Sequence, residues 1–128
     1  MKEIRDVVNR YIAAIHTQDP QEFRLLWTGT GTDTLISVAT EYRGIDSIVS
    51  DFLQGSIRKK YAEITLVPEE TPEIRCLDRE TALVIFRYHT ECIKRDDHTP
   101  FGISGVETQV LKCLDGQWKL CHVHYSKK

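Results

Sequence analysis

The sequence predicts an α+β domain in which three N-terminal helices pack on a mostly antiparallel sheet. Three observations carry this. Apolar residues recur with a helical period in three stretches before about residue 55. From about residue 61 onward they alternate as strands do. Near the end, Asp115-Gly116 sits between two alternating runs, a strong hairpin signal. Helices first and strands after belong to the α+β class.

Each element has its own warrant. Over residues 3–17, Ile4, Val7, Val8, Tyr11, Ile12 and Ile15 fall at i, i+3, i+4, i+7, i+8 and i+11, one apolar face of a helix. Asp19-Pro20-Gln21-Glu22 reads as N-cap, N1 proline and N3 glutamate, opening a short helix through Trp27 with Phe23, Leu26 and Trp27 buried. Thr28 to Thr32 is a loop whose glycines lack phosphate-motif spacing. A strand is expected over 34–40, and Glu41 to Gly44 leads into a third helix. That helix carries Ile45, Ile48, Val49, Phe52 and Leu53 on one face and is expected to stop at Gly55. Strands are expected over 61–67, 73–77, 80–93, 103–114 and 117–126. Pro68 and Pro72 bracket an irregular stretch, and 94–100 is a polar hairpin connection.

Bulk properties narrow the function classes. A chain of 128 residues is one domain, 1–128, able to bury a real core without disulfides. Its formal charge of −2 gives no electrostatic case for nucleic acid or an anionic membrane as partner. Its apolar runs are too short to cross a bilayer and no secretory pattern opens it, so a cytoplasmic location is expected. Cys76, Cys92, Cys113 and Cys121 show no C-x-x-C spacing and read as buried free thiols.

A hairpin symmetric about Asp115-Gly116 sets Leu114 opposite Gln117, Cys113 opposite Trp118 and Leu111 opposite Leu120. The same register sets Gln109 opposite His122 and Glu107 opposite His124, all on one face. An apolar stripe there gives way to a carboxylate, an amide and two imidazoles, the pattern of a pocket floor. Leu83, Ile85, Arg87 and His89 are expected to share that face. The opposite face takes Val84, Phe86, Tyr88, Val106, Val110, Val123 and Tyr125. A sheet apolar on both faces needs cover on both. Helices supply one cover, and a second copy of the chain, as a homodimer, is expected to supply the other.

Three segments carry a family resemblance: Val8 to Ile15 followed by Asp19; Tyr42-Arg43-Gly44-Ile45-Asp46 leading into Phe52; and Val106 to Val110 through Asp115-Gly116-Gln117-Trp118 to His122-Val123-His124-Tyr125-Ser126. In this order they resemble the nuclear transport factor 2-like superfamily, which includes SnoaL-like and ketosteroid-isomerase-like proteins. The last segment is similar to the association domain of calcium/calmodulin-dependent kinase II. The resemblance implies a cone-shaped, cystatin-like fold, usually dimeric, whose curled sheet and first helix enclose a pocket. With Met1 at its start and no kinase domain, the chain is expected to stand alone. In ketosteroid isomerases a helix tyrosine and a late-strand acid hold the substrate oxyanion, and Tyr11 and Glu107 fall on those positions. The isomerase's base position falls close to Ser37, whose neutral hydroxyl cannot abstract a carbon-bound proton unaided. In kinase association domains arginines line the pocket; Arg87 falls on one such position and Gln109 replaces another.

The resulting catalytic candidates are Tyr11, Glu107 and His124. The ligand-binding candidates are Tyr11, Trp27, Arg87, His89, Glu107, Gln109, His122 and His124, with Glu107 as partner to Arg87 and His124. His122 and His124, with His89 or Glu107, have a spacing that metal sites also use, but no metal and no cofactor is expected. The expected function is a pocket for a small, partly hydrophobic carbonyl or carboxylate ligand, serving isomerase, cyclase or hydratase chemistry. The rivals are a homo-oligomerisation module without catalysis and a metal-dependent enzyme.

Overall fold

The N-terminal periodicity forms α1 (Lys2–Thr17), which buries Ile4, Val7, Val8, Tyr11, Ala14 and Ile15. The computed structural model describes residues 2–128. Asp19 caps α2 (Pro20–Leu25), its Oδ1 accepting from the N–H of Gln21 at 3.0 Å and of Glu22 at 3.2 Å. This satisfies donors that the first turn would otherwise leave without partners. β1 (Thr34–Ile36) turns back on β2 (Glu41–Arg43), a short strand the sequence reading does not separate from its surroundings.

The third helical segment differs from expectation. It runs as α3 (Ile45–Ser47), a π-helix (Ile48–Ile57) and α4 (Arg58–Lys60), past Gly55. A glycine stop needs a left-handed backbone, and the glycines with positive φ are Gly29, Gly44 and Gly116 instead. At its end the Arg58 N–H reaches Leu53 O, five residues back. Phe52, Leu53 and Ile57 are buried by this segment.

The remaining strands are β3 (Tyr61–Pro68), β4 (Glu73–Asp78), β5 (Thr81–Lys94), β6 (Pro100–Phe101), β7 (Ser104–Leu114) and β8 (Gln117–Lys127). The sheet order is β2-β1-β8-β7-β5-β3, with β4 and β6 on other stretches of β5. All pairings are antiparallel except β1 with β8. Asp115 (φ 51) and Gly116 (φ 78) both take the left-handed conformation that a two-residue I′ hairpin turn requires.

The expected register holds near this turn and fails beyond it. Leu114 pairs with Gln117, Cys113 with Trp118 and Leu111 with Leu120. Then Val110 pairs with His122, leaving Cys121 as the extra residue of a β-bulge. Glu107 therefore stands opposite Tyr125 and Gln109 opposite Val123, while His124 stands opposite Thr108. Because side chains alternate, one extra residue turns both imidazoles to the other face. On the other side of β7, Glu107 pairs with Phe86 and Gln109 with Val84. They share a face with those residues rather than with Ile85, Arg87 and His89. The connection from β5 to β7 carries β6 within it, so no tight turn fixes that register from sequence.

The helices cover the inner face, where Val84, Phe86, Leu111, Leu120 and Val123 are buried. Each such large apolar side chain contributes roughly 1.5–3 kcal/mol. The outer face carries half-buried Leu83, Ile85 and Val110 and exposed Val106. Of the four cysteines only Cys92 is buried; Cys113 and Cys121 are half-buried and Cys76 is exposed, which corrects the expectation of uniformly buried thiols. Among the described residues, no helix is long and apolar enough to cross a membrane.

Candidate functional site

Helical spacing in α1 points Tyr11 and Ile15, four residues apart, toward the inside of the curled sheet. There they meet inward residues of β3, β5, β7 and β8 around a cavity of about 240 Å³. The chain has five tyrosines, and all of them, Tyr11, Tyr42, Tyr61, Tyr88 and Tyr125, line this cavity. At its buried end lies Glu107, 2% exposed, with Tyr11 and Tyr88 at 1% each. Phe52 and Ile57 of the π-helix, Ile64 and Leu66 of β3, and Ile103 form apolar walls. The exposed lysines Lys60 and Lys127, the Ser37–Ala39 turn and Phe101 form the mouth.

Burial governs the electrostatics of the buried end. It pushes the Glu107 carboxyl up to about 8, with the hydrogen bond from Gln109 opposing it. Gln109 Nε2 donates to Glu107 Oε2 at 2.8 Å. That leaves Oε1 to carry the acid hydrogen when the group is neutral. Burial, followed by the nearby Glu107, also raises Tyr11 well above the ordinary tyrosine value. Tyr88 is pushed up to about 12 by the same two causes in the same order. Tyr125 is raised chiefly by burial and then by Glu107. Tyr88 Oη already donates to Ser126 O at 2.9 Å, so the acid and the Tyr11 and Tyr125 phenols are the groups able to present hydrogen-bond donors to whatever enters. A carbonyl or alkoxide oxygen is the natural acceptor for such a set.

The structure divides the expected site residues. Tyr11 and Glu107 line the cavity, and Gln109 lies buried behind Glu107 as its support. Trp27 is buried core, edge-on to Phe23 at 6.0 Å between ring centroids, and does not line the cavity. Arg87, His89, His122 and His124 lie on the outer face, which removes them from the cavity. Arg87 pairs with Glu70 at 2.9 Å, both side chains exposed, rather than with Glu107. His89 pairs with Glu91 at 2.9 Å and Glu69 at 3.6 Å. His122 is bonded to the Thr34 hydroxyl, and partial burial followed by nearby His124 lowers its pKa. The two imidazole centroids are 6.4 Å apart. Among the described residues, no group of three or more His, Cys, Asp or Glu is placed to hold a metal. Sequence reasoning missed Tyr42, Tyr61, Tyr88 and Tyr125 as cavity residues. The Cys121 bulge hid Tyr125, and the others converge only through tertiary folding.

The family model of the SnoaL-like domain matches residues 1–124. The chain belongs to the SnoaL-like domain family. Among solved structures, this SnoaL-like domain is similar to a nuclear transport factor 2 (NTF2-like) superfamily protein from Salmonella enterica serovar Typhimurium. The identity is 27% and the TM-score 0.94, over 98% of this chain and 89% of that one. It is also similar to a putative scytalone dehydratase from Novosphingobium aromaticivorans, at 16% identity and TM-score 0.86, over 100% of this chain and 83% of the other. A third is a putative calcium/calmodulin dependent protein kinase II association domain from Xanthomonas campestris, at 16% identity and TM-score 0.81, over 98% and 86%. The last two likenesses concern the fold. No match was found among curated proteins.

Proposed function

We propose that this SnoaL-like domain binds a compact, largely apolar carbonyl compound and polarises its oxygen with the neutral Glu107 carboxyl. The observation that carries the reading is the buried acid, raised to about 8, at the end of a cavity shared by all five tyrosines. At pH 7 such a group is neutral in roughly nine molecules of ten, so it donates rather than accepts. A volume of about 240 Å³ corresponds to about eight waters at liquid density, hence an organic ligand of about a dozen non-hydrogen atoms. Isomerisation, cyclisation and hydration all use a polarised carbonyl, and the protein's contribution to them is the aimed donor. The neighbour described as a putative scytalone dehydratase is consistent with this class of chemistry.

The test is binding of a neutral aryl ketone, butyrophenone, measured by calorimetry from about pH 6 to about pH 9.5. Affinity should fall as Glu107 ionises around pH 8, because a carboxylate repels a carbonyl oxygen. In Glu107→Gln the amide keeps a donor, and affinity should not vary with pH. A wild-type affinity that is flat or rises across this range overturns the reading.

A second reading concerns assembly. Leu83, Ile85, Val106 and Val110 make the outer sheet face partly apolar, and Val106 is 37% exposed. This supports a homodimer through that face, and equally a homo-oligomerisation module without catalysis. Sedimentation distinguishes them: a dimer dispersed by Ile85→Glu supports the first, and a ring of many subunits the second. A monomer at micromolar concentration excludes both.

A further inference from the structure

The cavity has two chemically different ends. Glu107 is the one carboxyl among its lining residues, and it lies at the buried end. At the mouth, Lys60 and Lys127 both line the opening and are exposed. Among the described residues neither ammonium is held in an ion pair. Arg58 and Lys59 precede Lys60, and Arg95 is anchored beside them, donating to Arg58 O at 2.7 Å and Tyr61 O at 3.0 Å. Asp97, in the turn after Arg95, accepts from Thr99 N at 3.1 Å and Thr99 Oγ1 at 2.6 Å and does not line the cavity. The chain as a whole carries −2, so the cationic rim is local and does not reflect bulk composition. Between the ends, Tyr61 stacks on Phe101 with centroids 6.1 Å apart and planes at 18°. That pair, with Ile57 and Leu66, offers an apolar and aromatic wall.

We infer that the ligand is an oxo-carboxylic acid with an apolar or aromatic body, its carboxylate at the mouth between Lys60 and Lys127 and its oxo oxygen at Glu107. This rests on the proposed carbonyl-binding role of the buried end and adds the class of molecule that fills the rest. A carboxylate at the rim meets two cations without being stripped of water. The same group at the buried end would lie beside an acid in a dry site, where its desolvation is costly. The orientation of the ligand follows. A cationic ligand is disfavoured by the rim, and a fully polar one by the walls.

The test compares three probes by calorimetry near neutral pH: 4-oxo-4-phenylbutanoate, its methyl ester and butyrophenone. The acid should bind about five- to tenfold more tightly than the ester, as two exposed ion pairs allow. That preference should shrink at high salt and vanish in the Lys60→Gln/Lys127→Gln variant, whose substitutions are on exposed side chains. Acid and ester binding equally, or ester more tightly, overturns the anionic end while leaving the carbonyl reading intact. If the double variant keeps the full preference for the acid, the assignment to these lysines is wrong. If none of the three binds at millimolar concentration, both readings fail.

Discussion

Gln109 donates to Glu107 from two residues along the same strand, Nε2 to Oε2 at 2.8 Å, with both side chains on the inner face of β7. This neighbour fixes which carboxyl oxygen remains for a ligand. It does not supply a counter-charge. Desolvation therefore wins over the hydrogen bond, and the acid keeps its proton into neutral pH.

Stability should depend on pH through this group. Folded Glu107 releases its proton at about 8, against an ordinary value of 4.5. Between those values the native state holds more protons than the unfolded chain, so raising the pH favours unfolding. Glu107's contribution is full below about pH 4.5, declines up to about pH 8 and is level above, a total loss of roughly 3–5 kcal/mol. Glu107→Gln should remove that slope and be the more stable protein at about pH 8.5. Urea unfolding at about pH 5.5, 7 and 8.5 measures both, and a wild type equally stable at all three contradicts the assignment.

Gly105 should not tolerate a side chain. Tyr88 Oη donates to Ser126 O at 2.9 Å directly over it. A Cβ on Gly105 would overlap Ser126 O and approach Tyr88 Oη to 3.1 Å. Gly105→Ala must push β8 away or break that bond, at about 2–3 kcal/mol. Thermal unfolding reads the loss; an unchanged melting temperature would mean that the strands separate freely there.

Asp33 organises the loop before β1. Fully buried, it accepts from the N–H of Gly29 at 2.9 Å and of Thr30 at 3.2 Å, and from the Thr28 hydroxyl. Asp33→Ala leaves two loop N–H groups without that acceptor and should cost about 2–4 kcal/mol. Hydrogen exchange at Gly29 and Thr30 should accelerate with it. Protection retained at both amides would show that another acceptor holds the loop.

His124 gives the opposite expectation. It is exposed on the outer face, opposite Thr108. His124→Ala should change stability by less than about 0.5 kcal/mol and leave the affinity for a cavity ligand unaltered. A tenfold loss of affinity would place the imidazole inside after all.

Much of the fold was legible because its signals are local. The α1 face, the Asp19 cap and the Asp115-Gly116 turn each occupy a few consecutive residues and appear as expected. Tyr11 and Glu107 were legible as a pair only through family resemblance, since one sits on a helix and the other on a late strand. Arg87 and His89 were misplaced because the connection from β5 to β7 carries β6 and no tight turn fixes that register; His122 and His124 were misplaced for a different reason. Facing in a strand is counted outward from a turn, so an unsignalled extra residue reverses everything past it. Nothing in Leu120-Cys121-His122 marks a bulge: no glycine or proline is present, and the alternation reads equally well either way. The π-helical winding over Ile48–Ile57 was likewise silent, because its apolar spacing fits an ordinary helix and Gly55 imitates a stop.

The bulge at Cys121 gives strand register, rather than residue identity, control over the cavity's chemistry. Were Cys121 paired with Val110 instead of bulged out, the same sequence would offer a pair of imidazoles to its ligand and hand a phenol to the solvent. Opening or closing a single bulge in the final hairpin is thus a short route by which one kind of interior is exchanged for another.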